Sequence, residues 1–519
     1  SYRYGSGVSI DSYNGTDENV VVPEKLGGED VEVIDSRAFS ENETVKTVKL
    51  PSTVTDIYDG AFANCTSLTE ITIPSSVTYI SDNAFSGCTS LTEITIPSSV
   101  TYIGGNAFSG CTSLTEITIP STVTYIGDNT FSGCTSLTEI AIPSSVTWIG
   151  ERAFSGCTSL TEITIPSSVT DIGKEAFAGT KWLSDKQKAN PYVVINGILI
   201  DVSKAGTNLN IPATVKKISC DIPKNVVSVA LPSSITEIDS DMFADCTLLK
   251  KITIPSSVTY IYNSAFANCT SLTEITIPSS VTYIGDNAFS GCTSLETIEI
   301  PETVETMKIS SFTGTKLLEN NLVDGKYLVV NNVLYDTQNL DDDVVIPEGV
   351  RKIKAVFPDS MHSISFPASM EEIEPLHNSN IYEVIVNSEN KNYSSYDGCL
   401  YSKDKKTLYW CPRLKESVSV YPETTQIAEY AFSFCDKLKS VDIKKVTHLE
   451  LCTFYECSEL TTITVPDNFE GMKDLVFGGC DKFTTIKLSG NSGKDIIYKG
   501  CLYNKDKTKL IMVPVAKTD

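Results

Sequence analysis

Five glutamates recur at one fixed step: Glu70, Glu93, Glu116, Glu139 and Glu162. Thr72, Thr95, Thr118, Ala141 and Thr164 follow two positions later. Carboxylates at regular spacing could form an acidic strip for a basic partner, or bind Ca²⁺ weakly between neighbouring turns of chain. The competing explanation is copied repeats whose glutamates are simply solvated. Tyr79, Tyr102, Tyr125 and Trp148 keep the same step, followed by Asp171, with Tyr260 and Tyr283 in a later array. An exposed aromatic stripe marks an interaction site, and aromatic faces also stack on sugar rings. The stripe could equally cover the edge of a coil and stabilise neighbouring turns.

Other reactive residue types are poorly placed for chemistry. The three histidines, His362, His377 and His448, show no spacing of a metal site or a catalytic triad. GxSxG, HExxH, GxGxxG and Walker A signatures are missing. Nothing supplies an acid–base pair, so no enzyme activity and no cofactor are expected. The chain has 16 cysteines. Cys65, Cys88, Cys111, Cys134 and Cys157 occupy one repeat position, as do Cys246, Cys269 and Cys292. They should form a buried column of free thiols. Parallel Cβ directions do not suit bridges, and no CxxC or Cys/His cluster suggests a metal.

The elements that position these columns are repeats. Residues 107–129 read AFSGCTSLTEITIPSTVTYIGDN, and nearly the same letters precede and follow them. A fixed period in the range of about 20 to 50 residues marks a solenoid. Leu114, Ile117 and Ile119 make a short strand with period 2, which puts Glu116 and Thr118 outside. Pro120 ends it, because proline cannot donate to a ladder. Val123 and Ile126 belong to a second short extended piece. Ala107 to Gly110 forms a tight or 3₁₀ turn. One such turn cannot bury its apolar edge alone, so stacking neighbours supply the stability.

The string Ala-Phe-x-x-Cys, Leu-x-x-Ile-x-Ile-Pro, then Val-x-x-Ile-Gly resembles the BspA-like (Treponema-type) leucine-rich repeats of bacterial cell-surface proteins. The resemblance implies a β-rich leucine-rich-repeat solenoid of the α/β class with little helix. It also implies a secreted or surface-attached protein that binds proteins or mediates adhesion, with no catalysis. Members of that family often carry β-hairpins between repeats.

Composition sets bounds. Sixty-five acidic residues against 41 basic give a net charge of −24. That sign argues against nucleic acid and against an anionic membrane surface. It suits solubility and self-avoidance. No run of 18 apolar residues offers a membrane span, and no signal peptide is visible. A start at Ser1 suggests a processed or trimmed chain, and an end at Asp519 without an obvious cap suggests a longer protein.

Taken in order, the 519 residues read as a single solenoid. Residues 1–35 are an N-terminal cap with extended pieces at Val8–Ile10 and Asn19–Val22 and a turn at Gly27-Gly28. Regular repeats fill 36–180. A hairpin insertion with a short helix near Trp182–Ala189 fills 181–230. Regular repeats return at 231–315, where Lys251 breaks the acidic column, Glu274 keeps it and Glu299 shifts it. Hairpin insertions and degenerate repeats occupy 316–425. Divergent repeats and a terminal hairpin occupy 426–519, with Cys435, Cys457 and Cys480 in the cysteine column. The first insertion should pair Tyr192–Ile200 with Leu209–Ile211. In 396–412, pairing Lys403 with Lys406 places Cys399 opposite Trp410 and Cys411 on the other face, so no Cys399–Cys411 bridge is expected.

The expected function is a protein-binding or adhesion module at the cell surface or secreted. Its partner is a host extracellular protein or another surface protein, with no nucleic acid and no membrane insertion. Its candidate surface is the Glu/Thr and Tyr/Trp columns of residues 70–164. A carbohydrate-binding role through the aromatic column, or a spacer role in a larger surface protein, are the alternatives.

Overall fold

Isoleucine and threonine alternate in short runs closed by proline, and these runs become three-residue strands. A computed structural model describes residues 3–4, 7–357, 361–373, 381–490 and 493–515. His377 lies outside the described residues, as do Ser1 and Asp519. The chain is a β-solenoid of stacked turns with little helix. It divides into two units. One runs to Thr259 and adds Asn268–Ser280, and the other comprises Tyr260–Ala267 and the chain from Val281.

In the first unit each turn supplies a front strand and a back strand. Front strands include Glu93–Thr95, Glu116–Thr118 and Glu139–Ala141. Back strands include Tyr79–Ile80, Tyr102–Ile103 and Trp148–Ile149. Neighbouring turns pair in parallel and in register: Glu93 with Glu116, Ile94 with Ile117, Thr95 with Thr118. The strand centre points inward, so Ile94 and Ile117 are buried while the glutamates and threonines stay exposed.

The segment read as a turn is a turn, and successive turns also bond to one another along the stack. Asn106 and Gly110 take left-handed φ of 55° and 73°, which Gly and Asn tolerate best. Phe85 N–H donates to the Ala107 carbonyl at 2.8 Å, and Gly87 N–H to Ser109 at 2.7 Å. Between these bonds the phenylalanines stack inside. Phe62 and Phe85 lie 5.3 Å apart at 1°, and Phe85 and Phe108 5.5 Å apart at 4°. Fully burying each ring stabilises by about 1.5–3 kcal/mol, which is why the repeat keeps it.

Both ends of this ring stack are covered. Tyr13, from the N-terminal segment, stacks on Phe39 at 5.1 Å, although nothing in its surroundings resembles the repeat. That segment also continues both strand columns, since Val8 pairs with Val31 and Asn19 with Thr47. At the other end Trp182 packs on Phe177 at 4.9 Å. Trp182 sits on the helix Lys181–Ala189, where the Thr180 hydroxyl accepts the Leu183 N–H as a cap.

The first insertion differs from expectation. Val193–Ile195 and Ile198–Asp201 form the antiparallel pair, joined across Asn196-Gly197. Asn208–Asn210 instead joins the front column, parallel to Ser228–Ala230. The reason is turn chemistry: Asn196 and Gly197 both take positive φ (51° and 85°), which suits a two-residue hairpin. The Asn196 side chain also donates to the carbonyls of Pro166 and Val169, each at 2.9 Å, and ties the hairpin to the coil. Tyr327–Val330 and Val333–Thr337 repeat the device across Asn331-Asn332 in the second unit.

The expectation for Cys399 and Cys411 is overturned: they form a disulfide, with Cα atoms 4.5 Å apart. Leu400 pairs with Trp410 but Tyr401 with Leu408, so a β-bulge lies between them. The extra residue shifts the register by one and swings Cys399 opposite Cys411.

Candidate binding surface

The acidic column is held by packing beneath it. Ile71, Ile94, Ile117 and Ile140 are buried, which turns Glu70, Glu93, Glu116 and Glu139 outward at every rung. Glu139 pairs in register with Glu162, and Ala141 with Thr164. Strand spacing sets the carboxylates about 5 Å apart, where like charges repel. Among the described residues none of these five glutamates has an ion-pair partner. The C-terminal run is different: Lys439 meets Glu416 at 2.8 Å, Lys445 meets Glu423 at 2.6 Å and Lys482 meets Glu459 at 2.6 Å, each across neighbouring turns. The first unit therefore carries an uncompensated negative strip.

Ala141 changes the relief of that strip. It replaces the threonine of its neighbours, and a hollow of about 300 Å³ opens around it, lined by Glu116, Thr118, Glu139, Glu162 and Thr164. The exception in the threonine column was readable in the letters. The hollow required the register.

The aromatic column stands on the back strands, in a different sheet from the glutamates. The structure thus assembles each column but does not join the two on one face. Tyr79, Tyr102, Tyr125 and Trp148 are half-buried. Tyr79 and Tyr102 stack face to face at 4.4 Å and 8°. Tyr102 meets Tyr125 edge-on at 5.3 Å, and Tyr125 meets Trp148 at 5.9 Å. Burial, with the neighbouring Tyr79 and Asp82, pushes the Tyr125 phenol up to about 12. Tyr79 and Tyr102 cover one another's faces, whereas Tyr125 and Trp148 meet their neighbours edge-on or tilted. Asp171, the end of the column, is held by Lys217 at 2.8 Å.

The hydroxyls of the repeat have partners too. Ser99 donates to the Val77 carbonyl at 2.6 Å, and Thr101 to Thr78 at 3.3 Å, both in the preceding turn. His362 stacks on Tyr382 at 5.2 Å, and His448 is exposed on a back strand. Among the described residues no three His, Cys, Asp or Glu side chains are grouped to hold a metal ion. No described helix is long and apolar enough to cross a membrane.

Several solved structures are similar to this chain. A leucine-rich repeat protein from Bacteroides ovatus shares 24% identity over 71% of this chain and 92% of its own, with a TM-score of 0.35. A leucine-rich cell surface protein from Faecalibacterium prausnitzii shares 23% identity over 94% of this chain and 92% of its own, with a TM-score of 0.19. The T. pallidum leucine-rich repeat protein shares 23% over 52% of this chain and 87% of its own, with a TM-score of 0.19. No curated protein matches the chain. The model of the BspA type leucine-rich repeat region matches residues 18–135, 78–197, 222–341 and 402–518. These spans cover most of the sequence, and the chain belongs to the BspA-type leucine-rich-repeat family.

Proposed function

We propose that this chain is a non-enzymatic binding module that acts outside a bacterial cell, attached to the surface or secreted, and engages a protein partner in adhesion. The observation that carries this reading is the row of Glu70, Glu93, Glu116, Glu139 and Glu162, with Glu93 in register with Glu116 and Glu139 with Glu162, exposed and without ion-pair partners among the described residues above the hollow at Ala141. A row of unneutralised charge steers a partner of opposite sign and speeds its approach. The partner best suited is a host extracellular protein, or another surface protein, with a basic face. Contacts repeated along the array add up through avidity rather than through one deep pocket. The Cys399–Cys411 disulfide supports an oxidising compartment.

The test is capture of host extracellular proteins by the full chain and by a Glu93→Gln/Glu116→Gln/Glu139→Gln variant. The reading expects basic proteins to be captured by the parent and lost in the variant, with weaker capture at high salt. An unchanged set of captured proteins would overturn it. Glycan-array binding that disappears in Tyr102→Ala/Tyr125→Ala/Trp148→Ala would point instead to the aromatic column. No capture of either kind would leave a spacer role.

A further inference from the structure

The second unit holds a groove that the acidic column does not explain. It lies where the repeat shortens. Asp343–Val345, Ser363–Phe366 and Glu383–Val386 are neighbouring parallel strands, with Asp343, Ser363 and Glu383 in register. Here successive strands start 20 residues apart, not 23, and the Ala-Phe turn is absent. The outward row that carries threonine in the first unit becomes Val345, Ser365 and Ile385. Val345 is 63% exposed and Ile385 44% exposed. Asp324 and Lys326, from the turn before the hairpin, form one wall with Tyr327, and the groove holds about 580 Å³.

Charge surrounds this apolar floor. Among the described residues, Asp324, Asp341, Asp343 and Glu348 line the groove with one cation, Lys326, which is bound to Asp341. The carboxylates are spread along the rim and make no metal-ligand group among the described residues. A cation alone would leave Val345 and Ile385 wet. An apolar ligand alone would leave the rim's excess of negative charge unanswered. A partner that satisfies both carries aliphatic side chains flanked by positive charge.

We infer that this groove docks an extended, basic polypeptide segment whose aliphatic side chains cover Val345 and Ile385 while its Lys or Arg residues meet Asp324, Asp341 and Asp343. Val345 and Ile385 stand two strand spacings apart, about 9.6 Å. A polyproline-like segment rises about 3.1 Å per residue with about three residues per turn, so side chains three apart fall on both. The surface is separate from the N-terminal glutamates and does not depend on their role.

The probe is a fluorescently labelled short peptide of leucines separated by pairs of lysines, titrated by anisotropy into the full chain. Expected results are saturable binding that weakens with salt, and a loss of about tenfold or more in Asp341→Asn/Asp343→Asn. A comparable loss is expected in Val345→Ser/Ile385→Thr. Circular dichroism should match the parent in every variant; Val345→Ser/Ile385→Thr should also keep the thermal transition, whereas Asp341→Asn/Asp343→Asn also alters the contacts with Lys326 and Ser363. A serine-for-lysine peptide should bind about tenfold more weakly. The Glu93→Gln/Glu116→Gln/Glu139→Gln variant, which removes any attraction of the peptide to the N-terminal strip, should keep the component of binding that Val345→Ser/Ile385→Thr removes. Equal affinity for the groove variants, or loss only in the N-terminal variant, would overturn the proposal. Binding indifferent to Val345→Ser/Ile385→Thr would overturn it as well, since it would show charge attraction without docking.

Discussion

The thiol of Cys111 donates to the carbonyl oxygen of Phe85, 3.2 Å away in the preceding coil. Cys88 does the same to Phe62 at 3.1 Å, Cys134 to Phe108 at 3.2 Å and Cys480 to Phe454 at 2.9 Å. The cysteine column is therefore a ladder of polar contacts as well as a row of small buried side chains. A thiol is a weak donor, but each bond ties one turn to the next.

This ladder predicts an alkaline limit to stability. Burial pushes the Cys65 thiol up to about 11 and the Cys111 thiol up to about 12, from an ordinary 9.0. The folded state holds these protons more tightly than the unfolded chain. The stability they contribute is whole below about pH 9 and falls as pH rises from there through 11 to 12. Melting temperatures should drop steeply over that window. In Cys111→Ala the drop should be shallower, on a parent stability lowered by about 1–2 kcal/mol through the lost contact and volume. A melting curve flat from pH 9 to 11 would contradict this.

The bridge between Cys399 and Cys411 closes a separation of 12 residues. Chain-entropy arguments give a loop of that size about 3 kcal/mol. Reductant, or Cys399→Ser, should speed amide hydrogen exchange on Cys399–Ser402 and Thr407–Trp410 while residues 70–164 stay unaffected. Peptide mapping without reductant should recover the two cysteines linked. Recovery of both as free thiols would remove the basis of the prediction.

Stacked carboxylates cost stability wherever they serve no fold. Glu93 and Glu116 sit directly opposite in register, so Glu116→Gln should raise the urea midpoint by an amount worth about 0.2–1 kcal/mol. The gain should shrink in high salt. A lowered midpoint would mean that the glutamate makes a contact the fold needs.

Leu475 holds a left-handed backbone, φ 56°, at 63% exposure. Asn83, Asn106, Asn129 and Asn287 take the same conformation at the matching place in other turns. Leucine pays a Cβ clash there of about 1–2 kcal/mol, which asparagine relieves in part. Leu475→Asn should stabilise the chain by about 1 kcal/mol, read as a higher midpoint in chemical denaturation. Destabilisation would show that the exposed leucine packs more than its surroundings suggest.

How much was legible follows from range. Period, strand position and the facing of Glu116 and Thr118 depend on neighbours within a few letters, and repetition multiplied each signal. The same holds for the helix at Lys181–Ala189, where Thr180 caps an amphipathic turn. Local pattern failed where one residue changes a register. Asn196-Gly197 made a hairpin inside what reads as one strand, and the bulge after Leu400 brought Cys399 to Cys411.

The sequence by itself determined the solenoid, its inward letters and the two columns, because parallel stacking carries any fixed letter to a fixed place on the surface. Tertiary structure alone decided what those places are like. It gave the thiols their carbonyl partners, set Tyr79 face to face with Tyr102, left the glutamates uncompensated among the described residues and opened the groove beside Val345. Each of these depends on atoms 20 or more residues apart. Such contacts arise only once the turns lie one strand spacing apart, and short-range patterns hold no record of that distance.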